Sequence, residues 1–263
     1  MNYIGSRANE KIKEINTLKD RKAREEKELF FFEGIHLFEE FIKAGHTPRL
    51  IFATEEAYKK YGKILSPYDD VINIVSDAVY EKITAEKSPQ GIYCVSKYLS
   101  NITQSTPRPG GIILESIRDT GNLGTIIRTA ASLGIEEITV SSDCADIYSS
   151  KTLRASMGAI FTSKINIVPS VPEAVKHLTA SGYNVYAACL YGKTMTLGTF
   201  DILPTDSFVL GNEGEGITEE TAAICNGRVI IPMSGKTESL NVASASTVIM
   251  WEMKRKELVS KGE

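Results

Sequence analysis

The stretch IPMSGKTESLNVASASTVIMW, which runs from Ile231 to Trp251, decides how the C-terminal half of this 263-residue chain is interpreted. A short apolar run ends at Pro232, a loop of small and polar residues follows, and a helix is predicted to begin near Leu240. The N–H groups of such a loop and of the first helical turn have no backbone partners, so this arrangement is typical of a ligand site. An ordinary, tightly packed Ala/Ser helix is the alternative, and the spacing alone does not separate the two.

Composition indicates a soluble globular protein of one or two domains, with 42% hydrophobic and 24% charged residues. The formal net charge of −3 gives no bulk basic surface, so any contact with nucleic acid must come from local patches. The sequence has no apolar run of membrane-spanning length, and its N-terminus has no apolar signal core. We therefore expect a cytoplasmic protein with no membrane partner.

Metal sites and common nucleotide motifs are not predicted. The four cysteines are far apart, form no CxxC pair and do not cluster with a histidine, so free thiols in a reducing compartment are expected. The glycine-rich run 211–216 has the wrong spacing for a dinucleotide fingerprint. Gly235-Lys236-Thr237 resembles the end of a phosphate-binding loop, but the glycine required five residues earlier is Ile230.

The first hundred residues alternate between short helices and strands. Ile12, Ile15 and Leu18 are spaced for one helical face within residues 6–29. Further strands are predicted at 30–32, 49–53, 71–75 and 92–95, and helices at 35–43, 57–61 and 77–84. The segment 99–110 is rich in Ser, Thr, Pro and Asn. We therefore predict domains at 1–100 and 111–263, joined by a linker at 101–110.

The second domain alternates regularly between strand and helix. Strands are predicted at 111–115, 137–140, 164–168, 184–189, 207–210 and 228–231, and helices at 123–133, 151–159, 171–180, 217–224 and 240–256. This alternation predicts an α/β fold with a parallel sheet that carries helices on both faces. Physical rules alone would make it an unknotted, doubly wound fold.

Three stretches resemble, in the same order, the motifs of the SpoU (TrmH-type) family of RNA 2′-O-ribose methyltransferases. They are IRDTGNLGTIIRTAA (117–131), FVLGNEGEGI (208–217) and IPMSGKTESLNVA (231–243). The family commonly has proline where this chain has Thr120, a change from which we expect little consequence. More weakly, Arg24, the run Phe32-Glu33-Gly34, Leu37 and residues 88–91 resemble the family's N-terminal substrate-binding domain.

The resemblance implies a C-terminal SPOUT domain whose parallel-sheet α/β fold contains a deep trefoil knot, preceded by a small L30e-like α/β domain. It also implies a homodimer, in which the partner subunit helps to complete the RNA site. The apolar run Val248–Trp251 in the last helix is a candidate interface, with core packing as the alternative.

The resemblance further implies that S-adenosylmethionine (SAM) is bound by the main chain of three loops and leaves as S-adenosylhomocysteine, without a metal. The implied cofactor-binding residues are Leu190, Gly192, Leu210, Gly211, Ile231, Met233, Ser239, Leu240 and Ala243.

The implied catalytic residues are Arg128, Asn122, Glu213, Ser239 and Asn241. Arg128 is proposed in the family to help deprotonate the 2′-hydroxyl, although a guanidinium hardly deprotonates, so orienting the hydroxyl and binding the adjacent phosphate is physically easier. Without the resemblance, Asn122 would be interpreted as a helix cap and Arg128 as a surface charge.

Several cations are candidates for contacts with RNA phosphates, and solvated surface charge is the alternative for each. They are Arg118, Lys151, Arg154, Lys193 and Lys236, and in the first domain Arg7, Lys19, Arg21, Lys22 and Arg24.

Because the first domain resembles that of the ribosomal RNA enzymes, ribosomal RNA is the expected substrate and tRNA the first alternative. A non-catalytic RNA-binding or ribosome-assembly factor that retains the fold is the alternative from another class. A base methyltransferase is disfavoured by the Asn/Arg first motif and by the ESLN run of the third.

Overall fold

A computed structural model describes residues 2–235 and 239–260, and the chain forms two compact units. The first unit comprises the chain up to Leu99 together with Tyr148–Phe161, and the second comprises the remaining residues. This division differs from the predicted one, because a segment from the middle of the sequence belongs to the first unit. Within the described ranges no helix is both long and apolar enough to cross a bilayer.

The first unit is a five-stranded mixed sheet with helices. Its strands, in chain order, are β1 (Asn2–Ile4), β2 (Leu29–Glu33), β3 (Leu50–Thr54), β4 (Ile72–Val75) and β5 (Ile92–Lys97). Their spatial order in the sheet is β1-β4-β3-β5-β2. Its helices are α1 (Glu10–Asn16), α2 (Arg21–Lys27), α3 (Ile35–Lys43), α4 (Glu55–Leu65), α5 (Asp77–Ile83) and α7 (Ser150–Ala155). Strand β5 is antiparallel to β2 and β3, and the other pairs are parallel. All five residues of β2 are buried, although the strand lies at the edge of the sheet.

Two aromatic residues explain why the middle segment belongs to this unit. The ring of Tyr148 lies 4.7 Å from that of Phe30. The ring of Phe161 lies 5.3 Å from that of Phe32 and 5.2 Å from that of Phe41. Since Phe161 is only 1% exposed, the segment is part of the core and not a surface loop.

The second unit contains one eight-stranded sheet in which every neighbouring pair is parallel. Its strands, in chain order, are β6 (Ile102–Thr103), β7 (Ile112–Leu114), β8 (Glu137–Ser141), β9 (Lys164–Val168), β10 (Val185–Ala188), β11 (Thr194–Thr196), β12 (Ser207–Leu210) and β13 (Gly227–Ile230). Their spatial order in the sheet is β11-β13-β10-β12-β7-β8-β9-β6. Its helices are α6 (Thr120–Ser132), α8 (Val171–Ala180), α9 (Glu219–Ile224) and α10 (Val242–Ser260). The predicted parallel-sheet α/β domain is therefore confirmed, whereas the trefoil knot stays a prediction.

The predicted linker 101–110 is not a free connection. Ile102 and Thr103 form β6, which pairs with Ile165 and Asn166 of β9. The N–H of Ser105 donates to Oδ1 of Asn166 at 2.7 Å. Because the side chain of Asn166 is buried and needs polar partners, it holds this segment to the edge of the sheet.

The order of the strands explains where a site can form. From β7 the chain continues to β8 and β9 on one side of the sheet, and then to β10, β12 and β13 on the other. Ligands of open parallel sheets bind beyond the carboxyl ends of the strands, where the order reverses in this way. The loops that follow β7, β10, β12 and β13 meet this condition.

Candidate active site

A cavity of about 430 Å³ opens at the carboxyl ends of β10, β12 and β13. Its walls come from the loop after β10, the glycine-rich loop 211–216, and residues within 229–233 and 239–245. The volume lies within the range of sites for small molecules, about 300–1,000 Å³.

Seven of the nine residues predicted to bind the cofactor line this cavity: Leu190, Leu210, Gly211, Ile231, Met233, Ser239 and Leu240. The structure does not place Gly192 or Ala243 in the lining. Ala243 is buried in the first turn of α10, and its neighbours Val242 and Ala245 line the wall instead. At Gly192, which has a φ of +78°, a Cβ would collide with the guanidinium of Arg228.

The glycine-rich loop is a tight, hydrogen-bonded turn. Asn212 and Gly216 exchange two backbone hydrogen bonds of 2.9 Å each. A side chain at Gly211 would collide with the backbone of Gly216, which itself has a φ of +75°. The side-chain Oδ1 of Asn212 accepts from two further N–H groups of the loop. This loop therefore holds Glu213 in a fixed position.

Glu213 is the centre of a network that joins the three sequence motifs. Its Oε1 accepts from Nδ2 of Asn122 at 3.0 Å. The backbone N–H groups of Arg118 and Asp119 donate to the same carboxylate at 3.2 and 3.3 Å. The Nδ2 of Asn241 donates to Oδ1 of Asn122 at 3.2 Å. Because Glu213 and Asn241 also line the cavity, the network forms part of its wall.

These hydrogen bonds change the acidity of Glu213. Partial burial would raise the pKa of its carboxyl group, but the hydrogen bonds from Asn122 and from backbone N–H groups outweigh this and lower the pKa below its ordinary value. Glu213 is therefore ionised at neutral pH and can only accept hydrogen bonds. It thereby orients the amide of Asn122, whose oxygen is left to accept from Asn241.

Asn122 is not the cap of α6, as the capping interpretation would require. Asp119 is the N-cap residue, and its Oδ1 accepts from the backbone N–H of Asn122 at 2.8 Å. Asn241 has a capping role at the other helix, since its Oδ1 accepts from the N–H of Ala243 at 2.9 Å. The amide of Asn122 is thus left to connect Glu213 with Asn241.

Arg128 lies on an exposed part of α6 and does not line the cavity of its own chain. It follows Asn122 by six residues, which corresponds to a distance of about 9 Å along the helix axis. Of the other implied catalytic residues, Glu213, Ser239 and Asn241 line the cavity, and Asn122 bonds to two of them.

The structure argues against one predicted phosphate contact and constrains two others. Arg24 is 5% exposed and donates to the carbonyl oxygen of Leu18, so its guanidinium is occupied inside the first unit. Arg154, also in the first unit, forms an ion pair with Glu86.

In the second unit Arg118 pairs with Asp143, with Nη2 and Oδ2 2.9 Å apart. Partial burial of Asp143 is outweighed by hydrogen bonds from two serines and by Arg118, which lower the pKa of the carboxyl group. Lys193 is exposed, as is Lys151 of the first unit, and Lys236 lies outside the described residues.

Tyr191 has a role that the sequence did not reveal. Its hydroxyl donates to the carbonyl of Ile217 at 2.9 Å, which joins the loop after β10 to the end of the glycine-rich loop. The guanidinium of Arg228 lies 4.9 Å above its ring and pairs with Glu219 at 2.5 Å. We call Tyr191, Arg228 and Glu219 the Tyr191 clamp. Tyr191 follows one strand and Arg228 lies within another, and no pattern in the sequence indicates that these two residues are in contact.

Glu115 is a second residue whose role was not predicted from the sequence. It follows β7, is 5% exposed, and accepts from the N–H and hydroxyl of Thr218, each at 2.9 Å, and from the hydroxyl of Thr221 at 2.5 Å. These bonds attach the start of α9 to the end of β7. A carboxylate directly after the apolar run Ile112–Leu114 was the available signal, because a buried charge needs partners.

Within the described ranges no group of three His, Cys, Asp or Glu side chains is arranged to hold a metal ion.

Comparison with known proteins agrees with this geometry. A family model described as "SpoU rRNA Methylase family" matches residues 111–251, and a model of the "MRM3-like substrate binding domain" matches residues 9–94. The first match covers more than half of the chain, and it includes all three motifs and the loops that form the cavity.

Individual relatives match over most of their length. The 23S rRNA (guanosine(2553)-2′-O)-methyltransferase RlmP of Bacillus subtilis is 29% identical over 258 residues, which are 97% of this chain and 100% of that protein. The 23S rRNA (guanosine-2′-O-)-methyltransferase RlmB of Xanthomonas campestris is 27% identical over 84% of this chain and 89% of its own. Among solved structures, the AdoMet-bound rRNA methyltransferase from Sinorhizobium meliloti has a TM-score of 0.83 and 27% identity, and the match covers 97% of this chain and 98% of that one. The chain belongs to the SpoU rRNA methylase family.

Proposed function

We propose that this chain transfers a methyl group from SAM to a ribose 2′-hydroxyl of ribosomal RNA. The observation that carries the proposal is the cavity whose wall contains Glu213 and Asn241, with Asn122 bonded to both. The printed names of the two relatives, both 23S rRNA 2′-O-methyltransferases, support the same reaction. We propose that the reaction takes place in the cytoplasm.

The residues of the cavity fit SAM. Leu210, Ile231 and Leu240 offer apolar contact to an adenine, and the main chain at Gly211 and at Ile231 offers groups for its polar edge. The ionised Glu213 favours a positively charged ligand. Bound SAM supplies a methyl group that is already activated on a sulfonium, and we predict that no metal takes part.

The protein has to hold donor and hydroxyl in line and help the hydroxyl lose its proton. The amide of Asn122, oriented by Glu213, and the amide of Asn241 keep the loops in register around the site. A guanidinium can only donate hydrogen bonds, so the role of Arg128 in this scheme is to orient the 2′-oxygen and the adjacent phosphate. In this scheme the proton passes to a phosphate oxygen or to water.

The position of Arg128 supports a homodimer. Because it does not line the cavity of its own chain, a second copy could bring its Arg128 to the RNA at that cavity. Helix α10 exposes Val248 and Trp251, at 39% and 43%, which suits an interface, whereas its neighbours Ile249 and Met250 are buried in the core. Sedimentation that finds only monomer at micromolar concentration would contradict the dimer.

We propose that the first unit is the L30e-like domain that binds the RNA substrate. The match of residues 9–94 to a substrate-binding domain supports this role. Ribosomal RNA is preferred over tRNA because both relatives named above act, by name, on 23S rRNA.

Methyl transfer from labelled SAM to total RNA without its native modifications tests the reaction. Wild type and Arg128→Ala are compared, and the RNA is digested to nucleosides. A 2′-O-methylnucleoside that appears only with wild type is the expected result. If SAM binds and no RNA fraction, including ribosomal particles, is methylated, the chain is instead a non-catalytic RNA-binding factor.

A further inference from the structure

Most cations on the outer faces of α1 and α2 are neutralised by carboxylates. The pairs are Lys13 with Glu10 at 2.7 Å, Arg21 with Glu25 at 2.7 Å, Lys22 with Glu26 at 3.9 Å, and Lys27 with Glu14 at 3.3 Å. A surface of such pairs has little net potential, so it attracts a polyanion weakly. Of the cations that the sequence suggested for RNA binding, Arg21 and Lys22 are therefore poor candidates.

Three other cations of the same unit are held differently. Arg7 donates from Nε to the carbonyl of Ala78 at 2.6 Å. Lys82 donates from Nζ to the carbonyl of Arg7 at 2.8 Å, and Lys19 donates from Nζ to the carbonyl of Lys82 at 2.9 Å. We call Arg7, Lys19 and Lys82 the carbonyl-held cluster.

A carbonyl oxygen positions a cation but does not cancel its charge. Within residues 2–235 and 239–260, Glu81 is the one carboxylate that forms an ion pair with the cluster, 3.1 Å from Nη2 of Arg7. Glu33 attracts Lys19 electrostatically, but it is buried, and its carboxylate accepts from Tyr80, Thr84 and Ala85. Arg7, Lys82 and Lys19 are thus linked through backbone carbonyls of one region, and the ion pair with Glu81 neutralises one of the three charges.

Helix capping explains only part of this arrangement. A lysine at the last carbonyls of a helix is favourable, which accounts for Lys19 at the end of α5. It does not account for Lys82, which bonds to a carbonyl of the loop before α1. A cation that is held by a carbonyl keeps its positive charge, so it still attracts an anion that comes close to it.

We propose that Arg7, Lys19 and Lys82 form a phosphate-binding surface that holds the sugar–phosphate backbone of the substrate RNA on the first unit. This rests on the proposed function in one respect only, the identity of the polyanion as RNA. The carbonyl bonds fix the side chains in advance, so binding costs less conformational entropy than it would for free lysines. The side chain of Arg7 is 56% exposed and Lys19 is exposed, so phosphates can reach them. Such contacts position an RNA without reading its sequence.

The test compares two triple variants of the full chain that each remove three charges from the first unit. One is Arg7→Gln, Lys19→Gln, Lys82→Gln. The matched control is Lys13→Gln, Lys27→Gln, Lys43→Gln, in which every lysine has a carboxylate partner. Filter binding to unmodified 23S rRNA made by transcription is measured from about 50 to 200 mM salt, the range over which phosphate contacts change affinity strongly.

The cluster variant is expected to bind at least about tenfold more weakly, and its plot of log K against log[salt] should flatten by about 0.7–0.9 per lost contact. The control should keep the wild-type slope. Equal slopes in the two variants would overturn the proposal. If the thermal midpoint of the cluster variant falls, the single variant Lys82→Gln replaces it, with an expected change in slope of about one contact.

Activity separates the two proposals. With saturating RNA the cluster variant should keep its kcat and show a raised KM for RNA. If wild type binds RNA with the cluster-dependent slope and transfers no methyl group, the proposed function fails and the surface stands. If wild type methylates RNA and the cluster variant binds like wild type, the surface fails and the function stands.

Discussion

The Nδ2 of Asn241 lies 3.2 Å from the Oδ1 of Asn122, a hydrogen bond between side chains that are 119 residues apart in the sequence. Each amide makes a second bond, Asn241 to the N–H of Ala243 and Asn122 to the carboxylate of Glu213. Two asparagines therefore connect the starts of α6 and α10 with the glycine-rich loop. The hydrogen bonds from Arg118 and Asp119 complete the set around Glu213.

Substitution of Asn122 by Asp tests this connection. The new carboxylate would face Glu213, remove its donor and add a like charge, so SAM binding and methyl transfer should both fall. Loss of a hydrogen bond to a charged group corresponds to about 10–100-fold. Asn122→Ala removes the donor without adding charge and should fall less. Calorimetric SAM affinity and transfer rate are the measurements, and an Asp variant as active as the Ala variant would contradict the argument.

The Tyr191 clamp predicts a change in KM without a matching change in kcat. Tyr191→Phe keeps the ring under Arg228 and removes only the hydrogen bond to Ile217. The loop after β10 should then be less well positioned, and the KM for SAM should rise by about 2–10-fold, the equivalent of one neutral hydrogen bond. The matched control is Tyr183→Phe, which leaves the cavity untouched. A fall in kcat at unchanged KM would show that Tyr191 acts elsewhere.

Glu213 predicts how stability depends on pH. Its pKa in the folded protein lies below the ordinary value of 4.5, so its contribution is present above that value and is lost as the pH falls through the lowered pKa. Wild type should therefore be more stable than Glu213→Gln at neutral pH, and the difference should shrink in acid. Urea unfolding at several pH values measures this, with Glu215→Gln in the same loop as control. A difference that persists at acid pH would contradict the assignment.

Phe161 predicts the importance of the middle segment for the first unit. Its ring is buried between Phe32 and Phe41, and replacement by alanine should cost about 3–5 kcal/mol of unfolding free energy. The exposed Val259→Ala serves as control. A chain that ends at residue 105 lacks Phe161 altogether and should not unfold cooperatively. Near-UV circular dichroism during urea unfolding measures both, and a cooperative transition of the short chain would contradict the claim.

The sequence predicted elements whose causes are local. The strand at 164–168 and the helix at 171–180 have the predicted bounds, because apolar periodicity and the cap at Ser170 define them. Seven of the nine residues predicted to bind the cofactor line the cavity, since they follow strands in recognisable motifs, and their role in binding stays a prediction.

The misses depend on contacts that are distant in the sequence. Arg24 is interleaved with acids and was expected to reach RNA, but it turns inward to the carbonyl of Leu18. The residues 102–103 were assigned to a linker, because only the partner strand β9 makes them a strand. The Tyr191 clamp needs β10 and β13 to be neighbours, which no local pattern indicates.

The chain leaves the first unit after Leu99 and returns to it between Tyr148 and Phe161. Although most of this unit is synthesised first, its core lacks Tyr148 and Phe161 until the ribosome has added more than sixty further residues. By then β7, α6 and β8 have been made as well. The two units therefore cannot fold strictly one after the other during translation. A chimera that takes one whole unit from a relative would need more than one junction in the sequence.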